Sequence, residues 1–147
     1  MVLVITGATG SGKTTLADVM LEKVQGASNV VSTTTRTMRL NEIEGEHYYF
    51  TDRESFEAKI VAGEMIEHAE YDGNLYGVSK SALRKATADK DAIAVIVCEI
   101  NGALALAEYM KELHVASVCL YLHARPQELV KRLAIRDKHE QPSDSIS

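Results

Sequence analysis

The sequence has no tryptophan, only two prolines and two cysteines in 147 residues, and 5% aromatic residues. So few prolines leave most of the chain free to form regular helices and strands. Two cysteines allow at most one disulfide, conceivable here between neighbouring strands, and neither CxxC nor HxxxH spacing occurs, so no structural metal site is expected. No apolar run reaches the roughly 18 residues that a membrane-spanning helix needs. A basic excess is also missing: 16 Lys+Arg against 21 Asp+Glu give a net charge of −5. That balance argues against general nucleic-acid binding but leaves room for a local anion site. No basic leader precedes the first apolar stretch, MVLVITGATG, which reads as a strand and not as a signal peptide. Cys98 and Cys119 sit in the apolar runs AIAVIVCEI and VASVCLYL, and are expected as buried free thiols of a cytoplasmic protein.

What is present is a 46% hydrophobic chain of ordinary single-domain size, ample for a core. Residues 2–5 predict a strand buried on both faces. A helix follows Lys13, with Leu16, Val19, Met20 and Val24 on one face and Gly26 at its C-terminal end. The next strand is expected around Val30–Thr33. Thr51 and Glu54 have capping-box spacing for a helix over about 53–62. Asp72-Gly73-Asn74 marks a hairpin turn, and Ser79 can cap a helix reaching about Ala88. Ala92–Cys98 and Val115–Leu122 read as buried strands. Between them, Gly102–Leu113 reads as a helix with Ala103, Ala107 and Met110 on its apolar face. Pro126 suits the first turn of a last helix carrying Leu129, Val130 and Leu133. Strands alternating with helices predict an α/β fold with a parallel sheet flanked by helices, interrupted after its second strand by a small α+β insertion.

The densest chemical signal is Gly7-Ala8-Thr9-Gly10-Ser11-Gly12-Lys13-Thr14, followed by Thr15. It matches G-x-x-x-x-G-K-[ST] between an apolar strand and an amphipathic helix, the context of a P-loop. There, glycines let backbone N–H groups turn toward phosphate oxygens. Lys13 adds a point charge at the β- and γ-phosphates, and the Thr14 hydroxyl can ligate Mg²⁺. A second cluster is STTTRTMRLNEIEGEHYYF, in which Arg36, Arg39 and Tyr48 suit a phosphomonoester: arginine offers a planar fork and tyrosine one more hydrogen bond. Glu99 closes an apolar strand, where a carboxylate can hold Mg²⁺ or its water opposite Thr14.

These segments, with GEMIEHAEYDGNLYGVSKSAL, resemble the guanylate kinase family from Val2 to about Arg136. The family pattern runs S-x-T-T-R-x-x-R-x-G-E-x-x-G-x-x-Y-x-F and later G-E-F-x-E-x-A-x-x-x-G-x-x-Y-G-[ST]. The resemblance implies a P-loop NTPase-type core over 1–33 and 89–135, a monophosphate-binding insertion over 34–88, and a partial lid over 136–147. It implies that Arg36, Arg39, Tyr48 and Tyr76 bind the monophosphate's phosphate, and that Ser32 and Glu67 contact guanine. A carboxylate can accept from guanine N1–H and the 2-amino group together, and a hydroxyl can donate to O6. It further implies that Arg132 and Arg136, four apart on the last helix, shield charge on the transferred phosphoryl group. The implied activity is Mg²⁺- and ATP-dependent phosphorylation of GMP or dGMP.

Several positions depart from the pattern. Val78 stands where the family has a second base-contacting Ser or Thr, so one hydrogen bond to guanine is expected to be missing. Val97 replaces one of two acidic residues around Glu99. Asn41 replaces a glycine but tolerates positive φ. The family continues past the point corresponding to Ser147 with another lid arginine, a strand and a helix, so a truncated chain or a short relative is expected. Two alternatives therefore stand beside the main reading. One is a kinase for another nucleoside monophosphate or a sugar phosphate, motivated by Val78. The other is a non-catalytic module for phosphorylated peptides or proteins, favoured by Val97 and the short C-terminus but opposed by the intact Gly12-Lys13-Thr14.

Overall fold

The structure, a computed structural model, describes residues 1–140. Strand β1 (Val2–Gly7) is buried along its whole length. It pairs in parallel with β7 (Ile93–Val97) on one side and β8 (Ser117–Leu122) on the other, and β2 (Ala27–Asn29) adds outside β7. Alternation along the strands divides the core between the two faces of this sheet. Val2, Val4, Ala94 and Ile96 face helix α4 (Ile100–Glu112), while Leu3, Ile5 and Val95 face Ala17 of helix α1 (Lys13–Lys23). The buried side of α4 is Ala103, Leu106 and Met110; Ala107, expected there, is exposed. Leu106 offers more apolar area than alanine at the same helical face, and complete burial of a Leu or Met side chain stabilises by about 1.5–3 kcal/mol.

A second sheet, in the order β4-β3-β6-β5, is built from β3 (Thr33–Thr34), β4 (Tyr49–Phe50), β5 (Met65–Tyr71) and β6 (Asn74–Ser79). The hairpin β5–β6 turns on Asp72 and Gly73, both at positive φ (48° and 72°), as the expected Asp-Gly turn requires. The strand expected over Val30–Thr33 is instead the passage between the two sheets. The Val30 N–H still donates to the Val95 carbonyl at 2.9 Å, whereas Thr33 already pairs with Gly77. Helix α2 (Arg53–Val61) is capped by Asp52, whose carboxylate accepts the Ser55 N–H at 2.7 Å. The cap thus falls one residue after the expected Thr51, whose N–H donates to the Thr34 carbonyl beside β4. Ser79 caps helix α3 (Lys80–Ala86) as expected, accepting the Ala82 N–H, although the helix closes two residues early on Thr87.

Helix α1 ends on Val24, so Gly26 lies beyond its cap, and Val19 is exposed. The largest departure is β8. It was expected to be buried, yet it is an edge strand with Val118, Leu120 and Tyr121 exposed, and Cys119 is an exposed thiol. An apolar run looks the same at the centre and at the edge of a sheet, because burial depends on what covers it. After β8 the chain enters helix α5 (Pro126–Glu140), where Leu129 and Leu133 are half-buried and Val130 is exposed. No described helix is long and apolar enough to cross a membrane. Of the expected lid, 141–147 lie outside the described residues.

Candidate active site

Because β1, β7 and β8 run parallel, their carboxyl ends lie on one side of the sheet, where open α/β folds hold ligands. The loop after β1 enters α1 at Gly12, which has φ 99° and open space where a Cβ would project. The first turn of α1 has no side-chain cap and no acidic residue. Its N–H groups and the positive end of the helix dipole therefore face an open cradle that suits phosphate oxygens. The Ser11 hydroxyl, in the loop itself, is buried with no partner among the described residues, a second polar group left unsatisfied at this place.

Lys13 is folded onto the loop, its Nζ donating to the Gly7 and Ala8 carbonyls at 2.6 and 3.1 Å and standing 3.9 Å from a Glu99 carboxylate oxygen. Glu99, at the N-cap of α4, is itself exposed. Helix α5 reaches over the loop: the Arg132 guanidinium donates to the Gly10 carbonyl at 3.3 Å and to Glu128 at 3.1 Å, and Leu133 lies over Gly10. A cavity of about 1120 Å³ opens here, walled by Thr9, Gly10, Gly12–Thr15, Arg39, Glu99, Arg132 and Arg136. Thr14 and Glu99 supply a hydroxyl and a carboxylate to the same cavity, a hard-oxygen pair that fits Mg²⁺ when phosphate oxygens complete its shell. Among the described residues, no cluster of three or more His, Cys, Asp or Glu could hold a metal without them.

A second cavity, about 840 Å³, contains Ser32, Tyr48, Glu67 and Tyr76 together with Cys98 and Gly102. Thr9, Lys13, Tyr71 and Glu99 line both cavities, so the two meet at the lysine. Glu67, on β5, is half-buried; burial raises its carboxyl above the ordinary range, and the Val78 backbone amide partly offsets that. The Cys98 thiol is pushed up to about 12, first by burial and then by the Glu67 charge, so it is an inert wall. Val78 does not present its side chain to this cavity. It is 1% exposed and packs in the core with Ala82, Leu83 and Ile96. Its apolar character is therefore explained by packing and gives no reason to expect a different acceptor.

The two arginines of the phosphomonoester cluster part company. Arg36 lines neither cavity: it forks onto Glu42 at 2.6 and 3.0 Å and lies 5.5 Å from the Tyr48 ring centre, behind the wall that Tyr48 and Tyr76 form. Arg39 lines the cavity of the P-loop and not that of Glu67. Glu42 holds both in place, since its carboxylate also accepts the Arg39 N–H at 2.8 Å. Sequence reading assigned Glu42 no role. The signal was there: an acid six residues after one arginine and three after the other. Tyr71 and Asp72, at the hairpin tip facing the P-loop, carried no such signal.

The Arg36 guanidinium and then the Arg39 backbone N–H lower the Glu42 carboxyl from 4.5 to about 2. A depressed folded-state value means that the stabilisation is complete above the unfolded value and is lost as pH falls through the folded one. Removing the charge with Glu42→Gln should therefore lower stability by a constant amount above about pH 4.5. The gap should shrink between there and about pH 2. Urea denaturation of both proteins across that range measures it; a gap that stays constant down to pH 2 would contradict the ion pair.

The guanylate kinase family model matches residues 1–146. The guanylate kinase of Anaplasma phagocytophilum is 41% identical over 139 residues, covering 92% of this chain and 64% of that protein. That of Wolinella succinogenes is 38% identical, covering 92% and 61%, and one from Clostridium perfringens is 33% identical, covering 100% and 66%. The chain thus spans slightly less than two thirds of the length of these relatives. The crystal structure of the Anaplasma phagocytophilum guanylate kinase superposes with a TM-score of 0.66 at 37% identity, over 95% of this chain and 71% of that one. A family match over nearly its whole length, with relatives 33–41% identical across most of it, shows that this chain belongs to the guanylate kinase family.

Proposed function

We propose that this chain transfers the γ-phosphoryl group of ATP to GMP or dGMP, giving ADP and the guanosine diphosphate. The observation that carries the reading is the junction of the two cavities at Thr9, Lys13 and Glu99. A donor held on the P-loop and an acceptor held beside Glu67 would meet there, which is the positioning that phosphoryl transfer needs. Loop and α1 N–H groups bind the donor phosphates. Lys13 leaves the Gly7 and Ala8 carbonyls for β- and γ-phosphate oxygens. Thr14 and Glu99 would hold Mg²⁺, which when bound neutralises charge on the β- and γ-phosphates. Arg132 and Arg136, on the α5 side, compensate charge on the moving phosphoryl group.

On the acceptor side, Tyr48 and Tyr76 donate to the monophosphate, with Arg36 behind them and Arg39 at the donor edge. The Glu67 carboxylate accepts from guanine N1–H and the 2-amino group, and the Ser32 hydroxyl donates to O6. The acceptor phosphate is already anionic, so no general base is required. The same reading assigns the chain to the cytoplasm, a reducing compartment that suits its two free thiols. A coupled ADP-release assay with a panel of nucleoside monophosphates tests it: ADP should form with GMP and dGMP well above the rate with AMP, CMP or UMP. A rate with GMP no higher than with ATP alone rules the reading out.

A further inference from the structure

Glu67 meets α4 at Gly102. A Cβ built on Gly102 would lie 2.7 Å from Glu67 Oε2, 3.2 Å from its carboxyl carbon and 3.4 Å from Cys98 Cβ. Gly102 is buried in the first turn of α4, although glycine has a lower helix propensity than alanine. Helix propensity therefore argues against glycine here, and what it allows is the close approach of a carboxylate from another sheet. The helix N-cap, Glu99, makes no side-chain cap. The Glu67 carboxylate thus lies against a turn whose N–H groups lack intrahelical partners. On its other side, Glu67 is pinned by Gly77 of β6, where a Cβ would lie 2.5 Å from the Glu67 carbonyl oxygen. The backbone of Glu67 is set by strand pairing, and the direction of its carboxylate is set by the missing side chain on α4.

We infer that Gly102 is a positioning residue for guanine recognition: its bare backbone lets the Glu67 carboxylate lie along α4, aimed into the acceptor cavity. The inference rests on the reading of Glu67 as the guanine contact. The atom a methyl group at 102 would strike is the far end of a flexible side chain, not backbone. Gly102→Ala should therefore be accommodated by rotation of Glu67, leaving the fold intact. It separates recognition from stability.

The experiment is equilibrium binding of GMP and IMP, which differ in the 2-amino group, to the parent, Gly102→Ala, Glu67→Ala and the double variant, with thermal denaturation of each. Charge-assisted hydrogen bonds carry enough energy that losing their aim should weaken GMP about tenfold or more. Gly102→Ala should thus bind GMP about tenfold more weakly, change IMP much less, and melt no lower than the parent. In the Glu67→Ala background, Gly102→Ala should cost nothing further, the non-additivity expected of residues acting as one unit. If Gly102→Ala weakens GMP equally with and without Glu67, or leaves GMP unchanged while Glu67→Ala weakens it, the inference fails and the reading of Glu67 survives. If Glu67→Ala leaves GMP binding unchanged, both fail.

Discussion

Lys13→Ala is expected to slow phosphoryl transfer about a hundred- to thousand-fold, because loss of one charged donor to the transition state costs roughly 3–4 kcal/mol. Lys13 is the cationic side chain at the junction of the two cavities, able to follow the phosphoryl group between them. The fold should survive. Its ammonium bonds only to the Gly7 and Ala8 carbonyls, at 2.6 and 3.1 Å, and the latter bond is solvent-exposed. The facing Glu99, 69% exposed, makes an ion pair of little consequence for stability. Single-turnover rates with GMP, beside thermal denaturation of both proteins, separate the two effects. A variant within twofold of the parent rate would sink the assignment of this loop as the donor site.

The second large effect belongs to Arg36. Arg36→Ala should raise the KM for GMP about tenfold, acting through the placement of Tyr48 and the charge left on Glu42 and not through a direct bond, with ATP affinity almost unchanged. Two losses coincide. The guanidinium behind Tyr48 disappears, and Glu42 is left as an uncompensated anion close to Tyr48. Arg36→Lys should rescue little, since a single ammonium cannot reproduce a two-pronged contact with a carboxylate. Arg39→Ala should act more on kcat, because Arg39 borders the donor cavity where the transferred group departs. Steady-state kinetics with each substrate varied in turn tests both variants. Weakening of ATP and GMP to the same degree by Arg36→Ala would show that the acceptor phosphate is held elsewhere.

The chemistry-bearing motifs and most elements were legible in the sequence because both are written in local patterns. The loop from Gly7 to Thr14 needs only its glycines, lysine and hydroxyl at fixed spacing. The hairpin needs only Asp72-Gly73 between two β-forming runs. The two-faced burial of β1 follows from an unbroken apolar run. The phosphomonoester cluster supplied Tyr48, resemblance then supplied Ser32, Glu67 and Tyr76, and all four line one cavity.

Tertiary structure decided what depends on partners distant along the chain. VASVCLYL became an exposed edge because, among the described residues, β8 pairs on one side only. Val78, a base-contact position by resemblance, turned its side chain into the core, where β6 packs against α3 and β7. Arg36 was drawn onto Glu42, because a fixed carboxylate within reach outcompetes an open cavity for a planar fork. The aim of Glu67 depends on a glycine of α4 that no periodicity in the sequence connects to it. Local patterns specify which groups the chain carries and which elements hold them. Only the packing of two sheets and the helices between them determines which of those groups face the same space.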